Sequence, residues 1–174
     1  MLRKATLADR AAIQTLIEAS ARSLGLSEYS PEQIEAALRG AFGVDTELIQ
    51  DGTYFVIEEA ERLAACGGWS RREKPWGGDA HGETESRLLD PSSEAAKIRA
   101  FFVHPDFARR GLARRLLHNC EDEARAAGFG SCTLTATLPG VPFYSSQGYV
   151  GGEPFEVDLG GVSIGFVPMT RSLA

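Results

Sequence analysis

Cysteine, histidine and long apolar runs are all scarce in this sequence, and each shortage removes a class of protein. The three cysteines, Cys66, Cys120 and Cys132, are odd in number and far apart, in no spacing that suggests a zinc knuckle or a redox dithiol. A reducing compartment fits that usage, and a cytoplasmic location is expected. The histidines, His81, His104 and His118, have no partner at metal-ligand spacing, so no metal is expected. No run reaches the ~18 to 20 apolar residues of a membrane span, and Met1 to Arg10 is polar where a secretory signal would be apolar. No membrane partner is expected.

Positive charge is short as well. Lys and Arg number 18 against 24 Asp and Glu, a formal net charge of -6, which argues against a general affinity for nucleic acid. What is present is ordinary for a globular chain: 43% hydrophobic and 24% charged residues. The 174 residues suffice for one domain, expected to span 1–174, with a core that needs no disulfide or metal.

The periodicity predicts a mixed α/β fold. Leu2 to Ala5 reads as a short strand, and Ile13, Leu16, Ile17, Ala21 and Leu24 recur at helical spacing after it. A second helix starts at Ser30, where Pro31 suits the first helical position and Gln33 completes a capping box. Thr53 to Glu58 and Leu63 to Ser70 read as an antiparallel hairpin, in which Gly67 and Gly68 suggest a bulge or a close backbone approach. Residues 71–94 are polar and rich in glycine and charge, long for a connection and therefore a lid or an insertion. Ala95 to Val103 returns to strand character, and its apolar end, Ala100-Phe101-Phe102-Val103, suits a central strand covered on both faces. A helix follows from about Gly111 to Ala127, then a strand from Cys132 to Thr137, expected to lie parallel to the one before it. A short helix over 139–147 and a hairpin through Gly160-Gly161, with strands at Phe155 to Leu159 and Val162 to Val167, complete the chain.

The stretch from Val103 to Leu117 is the most informative. It joins a buried strand to a helix through a turn containing Arg109, Arg110 and Gly111, followed by Ala113, Arg114 and Arg115. The first amides of a helix lack internal partners and carry the positive end of its dipole, so this turn suits a phosphate, and the small residues allow close approach. In an acidic chain such a basic turn is notable, although a solvated helix start would look much the same.

The strand, His104-Pro105-Asp106-Phe107, then Arg109-Arg110-Gly111-Leu112-Ala113 and an amphipathic helix resemble the acyl-CoA signature of the GNAT superfamily of N-acetyltransferases. That pattern is Gln or Arg, two residues, Gly, one residue, Gly or Ala. Gly111 and Ala113 match, whereas Ala108 stands at the Gln or Arg position. The element order agrees over nearly the whole chain. The resemblance implies the GNAT fold, a central mixed sheet flanked by helices, and acetyl-CoA as co-substrate without a metal. Phe101, Phe102 and Val103 would border the pantetheine arm, and Arg109, Arg110, Gly111, Leu112, Ala113 and Arg114 would wrap the pyrophosphate.

A second match is Phe143-Tyr144, three residues, Gly148-Tyr149, which resembles the family's Phe-Tyr motif and implies Tyr144 as the general acid that protonates the leaving thiolate. A tyrosine that only packs on the sheet is the competing reading of that pair. The carboxylate that often sits on the signature strand is absent, since Arg99 and Ala100 occupy its place, and either a water-linked carboxylate such as Glu94 takes the proton or the amine loses it before binding. Arg99 is a candidate for a substrate carboxylate, against the plainer role of a surface ion pair. Trp69 is a candidate acceptor contact, with core packing its default role, and Trp76 could close over substrate or meet a second subunit. His104 is expected to hold the turn rather than act as a base.

The implied activity is acetyl transfer to a primary amine, a small molecule or peptide, by direct attack in a ternary complex. The alternative is a GNAT-like module that holds acyl-CoA without turnover. A nucleotide site is disfavoured, because no Gly-rich loop ending in Lys-Ser or Lys-Thr and no dinucleotide fingerprint is present. Should the chain self-associate, a homodimer is the expected form.

Overall fold

The computed structural model describes residues 1–74, 76, 78–81 and 86–174, with residues 80 and 81 described by their backbone only. Among the described residues, eight strands form one sheet, β1 (Leu2–Lys4), β2 (Tyr54–Glu59), β3 (Arg62–Ser70), β4 (Ala96–Val103), β5 (Ser131–Thr137), β6 (Val150–Gly151), β7 (Phe155–Leu159) and β8 (Val162–Ser172). The order across it is β1-β2-β3-β4-β5-β8-β6, with β7 also on β8. Five α-helices accompany it among the described residues: α1 (Arg10–Leu24), α2 (Pro31–Gly40), α3 (Thr46–Gln50), α4 (Leu112–Ala126) and α5 (Val141–Ser146).

The helices start where local chemistry satisfies their amides. Ser30 caps α2, accepting from Gln33 N–H while the Gln33 side chain accepts from Ser30 N–H, the reciprocal arrangement its sequence predicts. Asp45 caps α3 by accepting from Leu48 N–H. This third helix has too few residues for a helical period to register in the sequence, so two helices were expected before β2 where three occur.

Two faces of the sheet are covered separately. One cluster joins α4, through Leu112, Leu116, Leu117 and Cys120, to Ile98, Phe101 and Val103 of β4. On the other face, Ile13, Leu16 and Ile17 of α1 pack with Val56, Cys66, Ala100 and Phe102. Burial on both sides explains why β2 and β3 read as apolar runs rather than alternating strands. Leu116 and Leu117 are wholly enclosed, and truncating either to alanine removes about 2 to 5 kcal/mol.

The closing strand runs on to Ser172, beyond its expected end at Val167. Pro168 is the reason for the shorter expectation, since proline cannot donate to a ladder. On one edge of β8, β7 pairs as far as Phe166 and β6 begins at Met169, so Pro168 falls in the gap between them. The segment expected to be a lid or insertion, 71–94, holds one bridge, Arg72 to Leu88, and Arg72 is anchored to Asp51 at 2.8 Å. Pro75, Gly77 and 82–85, which belong to that expectation, lie outside the described residues, as does the His81 side chain.

Candidate active site

β4 and β5 are parallel neighbours that pair only at Ala96 with Cys132 and Lys97 with Thr133, and then part. From Ile98 onward β4 has β3 on one side and an open slot on the other. His104 N–H is bonded to the Ala64 carbonyl of β3 at 2.8 Å, so the ladder's alternation turns the N–H and C=O of Val103 toward the slot. Two residues back, Phe101 shares that direction. A cavity of about 290 Å³ occupies the gap, bordered by Phe101, Phe102 and Val103 of β4, Leu134 and Thr135 of β5, and Ala113 of α4.

A bulge in β4 sets which side chains reach each face. Ala100 has φ of 59°, a left-handed conformation costly for a residue with a Cβ, and the β3–β4 register shifts there. Its carbonyl accepts from the Tyr54 hydroxyl at 3.3 Å. The extra residue leaves Ala100 packed on the α1 face and restores Phe101 to the α4 face. Gly67 makes this possible, for a Cβ there would lie 2.5 Å from the Phe101 ring.

At the outer end of the slot, Gly111 is the residue before α4, with φ of 79°, and Arg109 also has positive φ, 61°. The first bond of the helix runs from Arg115 N–H to the Gly111 carbonyl, so the amides of Leu112, Ala113 and Arg114 precede the internal ladder. Open space surrounds the point where a Gly111 Cβ would stand. Arg109, Arg110 and Arg114 are exposed around this turn, whereas the Leu112 side chain is core. Arg110 lies over Phe107 at 5.3 Å and reaches the Asp106 carbonyl at 3.3 Å. His104 Nδ1 accepts from Asp106 N–H, a cap for the short turn Pro105–Phe107.

Tyr144, on α5, borders the same cavity, its ring 6.4 Å from that of Phe101 and 5.0 Å from that of Phe143. It is 9% exposed, and burial pushes its phenol above the ordinary tyrosine range, which keeps it protonated and able to donate. The slot therefore brings together the β4 backbone, the start of α4 and Tyr144.

Three sequence candidates stand elsewhere or differently. Trp69 is 1% exposed in the core under α4, where its Nε1 donates to Glu123 at 3.0 Å and its ring meets Phe129 edge-on. Because β3 is covered on both faces, its sequence could not reveal which face Trp69 takes. Glu94 is absent from the cavity wall, and hydrogen bonding from Arg87 lowers its pKa to about 2, which makes it a poor proton acceptor. Arg99 does border the cavity but forms a buried rather than a surface ion pair. Its Nη2 donates to Asp45 Oδ1 and Glu47 Oε1, both at 3.1 Å, and its Nη1 to the Lys74 carbonyl at 2.8 Å.

Other wall residues had no signal in the sequence. Asp45, Tyr29, Phe42 and Phe166 come from separate segments that only the fold unites. Trp76, singled out in the sequence, borders the same wall, stacked on Phe166 at 5.8 Å and 22° between planes.

Among curated proteins no sequence matches this chain. A GCN5-related N-acetyltransferase from Rhodopseudomonas palustris is 21% identical with a TM-score of 0.72, covering 99% of this chain and 94% of that one. PaiA N-acetyltransferase from Thermoplasma acidophilum, solved in complex with coenzyme A, is 14% identical with a TM-score of 0.67 over 99% and 98% of the two chains. YncA from Salmonella typhimurium, solved with its cofactor acetyl-CoA, is 18% identical with a TM-score of 0.64 over 100% and 94%. These likenesses extend the fold across the whole chain, and the family model for acetyltransferases of the GNAT type matches residues 12–149. With its parted parallel strands, its turn at Gly111 and that match, this chain belongs to the acetyltransferase (GNAT) family.

Proposed function

We propose that this protein transfers the acetyl group of acetyl-CoA to a primary amine by direct attack, both substrates being held together in the slot between β4 and β5. The observation that carries this reading is the continuity of that slot from Ala113, in the first turn of α4, to the buried phenol of Tyr144.

The chain's own groups supply what such a transfer needs. The amides from Arg109 to Arg114 face a polyanion with the positive end of the α4 dipole, and the nearby arginines add attraction at longer range. The backbone of Phe101 and Val103 offers an unpaired strand edge to an extended arm, which would bind as an added strand. A β4 N–H beside the reacting carbonyl stabilises negative charge developing on its oxygen. As the amine nitrogen bonds to the acetyl carbon and the carbon–sulfur bond breaks, Tyr144 protonates the departing sulfur. The phenol then regains a proton from solvent, which also takes the one shed by nitrogen, so the products are an amide and a thiol.

A holding module without turnover is the competing reading, favoured by the lack of a carboxylate on β4, where residues 96–103 read Ala-Lys-Ile-Arg-Ala-Phe-Phe-Val. Calorimetry with CoA and acetyl-CoA, on wild type and Gly111→Glu, is the first test. Micromolar binding to wild type and none to the variant is expected, and absence of wild-type binding would overturn the proposal. Acetyl-CoA binding without acetylation of any amine in a broad panel would favour the holding module.

A further inference from the structure

The half of the cavity on the α1 side differs in chemistry from the half beside α4. Its walls are Tyr29, Phe42, Trp76 and Phe166, which form a box of aromatic surface. Trp76 and Phe166 stack, and Phe42 meets Phe102 edge-on at 5.6 Å. Tyr29 offers its ring rather than its hydroxyl, because that hydroxyl already donates to the Gly165 carbonyl at 2.6 Å and accepts from Leu138 N–H at 2.9 Å.

One carboxylate enters this wall. Asp45 is 1% exposed, and its Oδ1 is used by Leu48 N–H and by Arg99. Its Oδ2 lies 3.1 Å from Arg99 Nη2 yet makes no hydrogen bond. Arg99 has both terminal nitrogens engaged, by Lys74, Asp45 and Glu47, and only its enclosed Nε lacks a partner. Arg99 and, at longer range, Lys74 are the cations acting on Asp45, with Glu47 the opposing carboxylate. Burial raises the Asp45 pKa against the pull of Arg99 and the hydrogen bond from Leu48 N–H.

An enclosed acceptor atom with a spare lone pair, in a cavity wall that also carries aromatic side chains, is complementary to an ammonium on an apolar body. Rings attract a cation through their faces, and the carboxylate oxygen takes its N–H. A substrate carboxylate has no comparable receptor, since the guanidinium that would hold it is already committed. We propose that the acceptor is a primary amine carried on an aromatic or bulky apolar body, without a carboxylate of its own, and that Asp45 receives its ammonium group on binding, the nitrogen then passing a proton to solvent before it attacks. This assignment rests on the acetyltransferase reading above and names its substrate class.

The test compares 2-phenylethylamine, phenylalanine and spermidine, both as acetyl acceptors and as ligands of the CoA-saturated protein in calorimetry. For wild type, kcat/KM for 2-phenylethylamine should exceed that for phenylalanine and for spermidine by roughly tenfold or more, with the same order of affinities. Asp45→Asn keeps a helix-capping side chain for α3 and should weaken 2-phenylethylamine binding by at least about tenfold while leaving CoA affinity unchanged. Equal or better use of phenylalanine or spermidine by wild type overturns the assignment, whatever the variant does. So does unaltered amine binding by a folded Asp45→Asn. Wild-type protein that binds CoA but none of the aromatic amines overturns the acceptor class alone, whereas failure to bind CoA overturns the acetyltransferase reading with it.

Discussion

At the scale of single residues, placement decides which aromatic side chains can take part in chemistry. Tyr144 and Trp69 were both candidates, and their surroundings separate them. Tyr144 borders the cavity with a phenol that burial keeps protonated. Replacing it with phenylalanine should lower kcat by roughly a hundredfold or more, the usual reach of a general acid, with CoA affinity unchanged in calorimetry. Because its pKa is raised, the wild-type rate should show no loss from phenol ionisation up to about pH 10, the ordinary tyrosine value. Trp69, by contrast, fills the core and donates to Glu123. Trp69→Ala should cost about 3 to 5 kcal/mol in urea unfolding, with its effect on activity following the loss of folded protein.

Elements show where sequence reading succeeds and where it stops. The strand, turn and helix around Gly111 were legible because three local signals coincide there: an apolar strand end, a basic glycine turn and helical periodicity. The bulge was legible only from β3, where Gly67-Gly68 suggest a bulge or a close backbone approach, since nothing in Ala100-Phe101-Phe102-Val103 places it at Ala100. Its counterpart, Gly67, carries a consequence that an outline of contacts would miss. Gly67→Ala places a methyl against the Phe101 ring, which must turn toward the slot or force β3 and β4 apart. CoA affinity should fall by about tenfold or more, although residue 67 is not in the cavity wall, and calorimetry on the folded variant checks this. Asp45 was hidden for a different reason. It stands 54 positions from Arg99 in a segment without periodicity, and only the packing of α3 beside β4 brings the two together.

Over the whole molecule, charge pairs tie the first strand to the second and give stability a defined dependence on pH. Arg3 of β1 holds Asp9 at 2.8 Å and Glu58 of β2 at 2.7 Å. Hydrogen bonding from Arg3 lowers the Asp9 pKa to about 2. A depressed carboxyl pKa stabilises the fold above the unfolded value, near ~3.9, and that contribution disappears as pH falls through about 2. Asp45 acts with the opposite sign, because its raised pKa makes the folded state the better proton binder as pH drops. Asp9→Asn should therefore flatten the loss of stability between about pH 4 and pH 2, as read from urea midpoints across that range.

The parting of β4 from β5 has a consequence for cooperativity. Joined by pairing only at residues 96–97 and 132–133, the sheet resembles two leaves of a book sewn at one end, β1 to β4 in one and β5 to β8 in the other. A ligand lying in the gap acts as a missing strand and restores the bonding that the leaves do not provide for each other. Backbone amides of the two leaves should exchange with deuterium at separate rates in the free protein and at a common, slower rate once CoA is bound. Cofactor saturation would then be part of how this fold completes itself, and the free and loaded forms would differ in the number of units that open together.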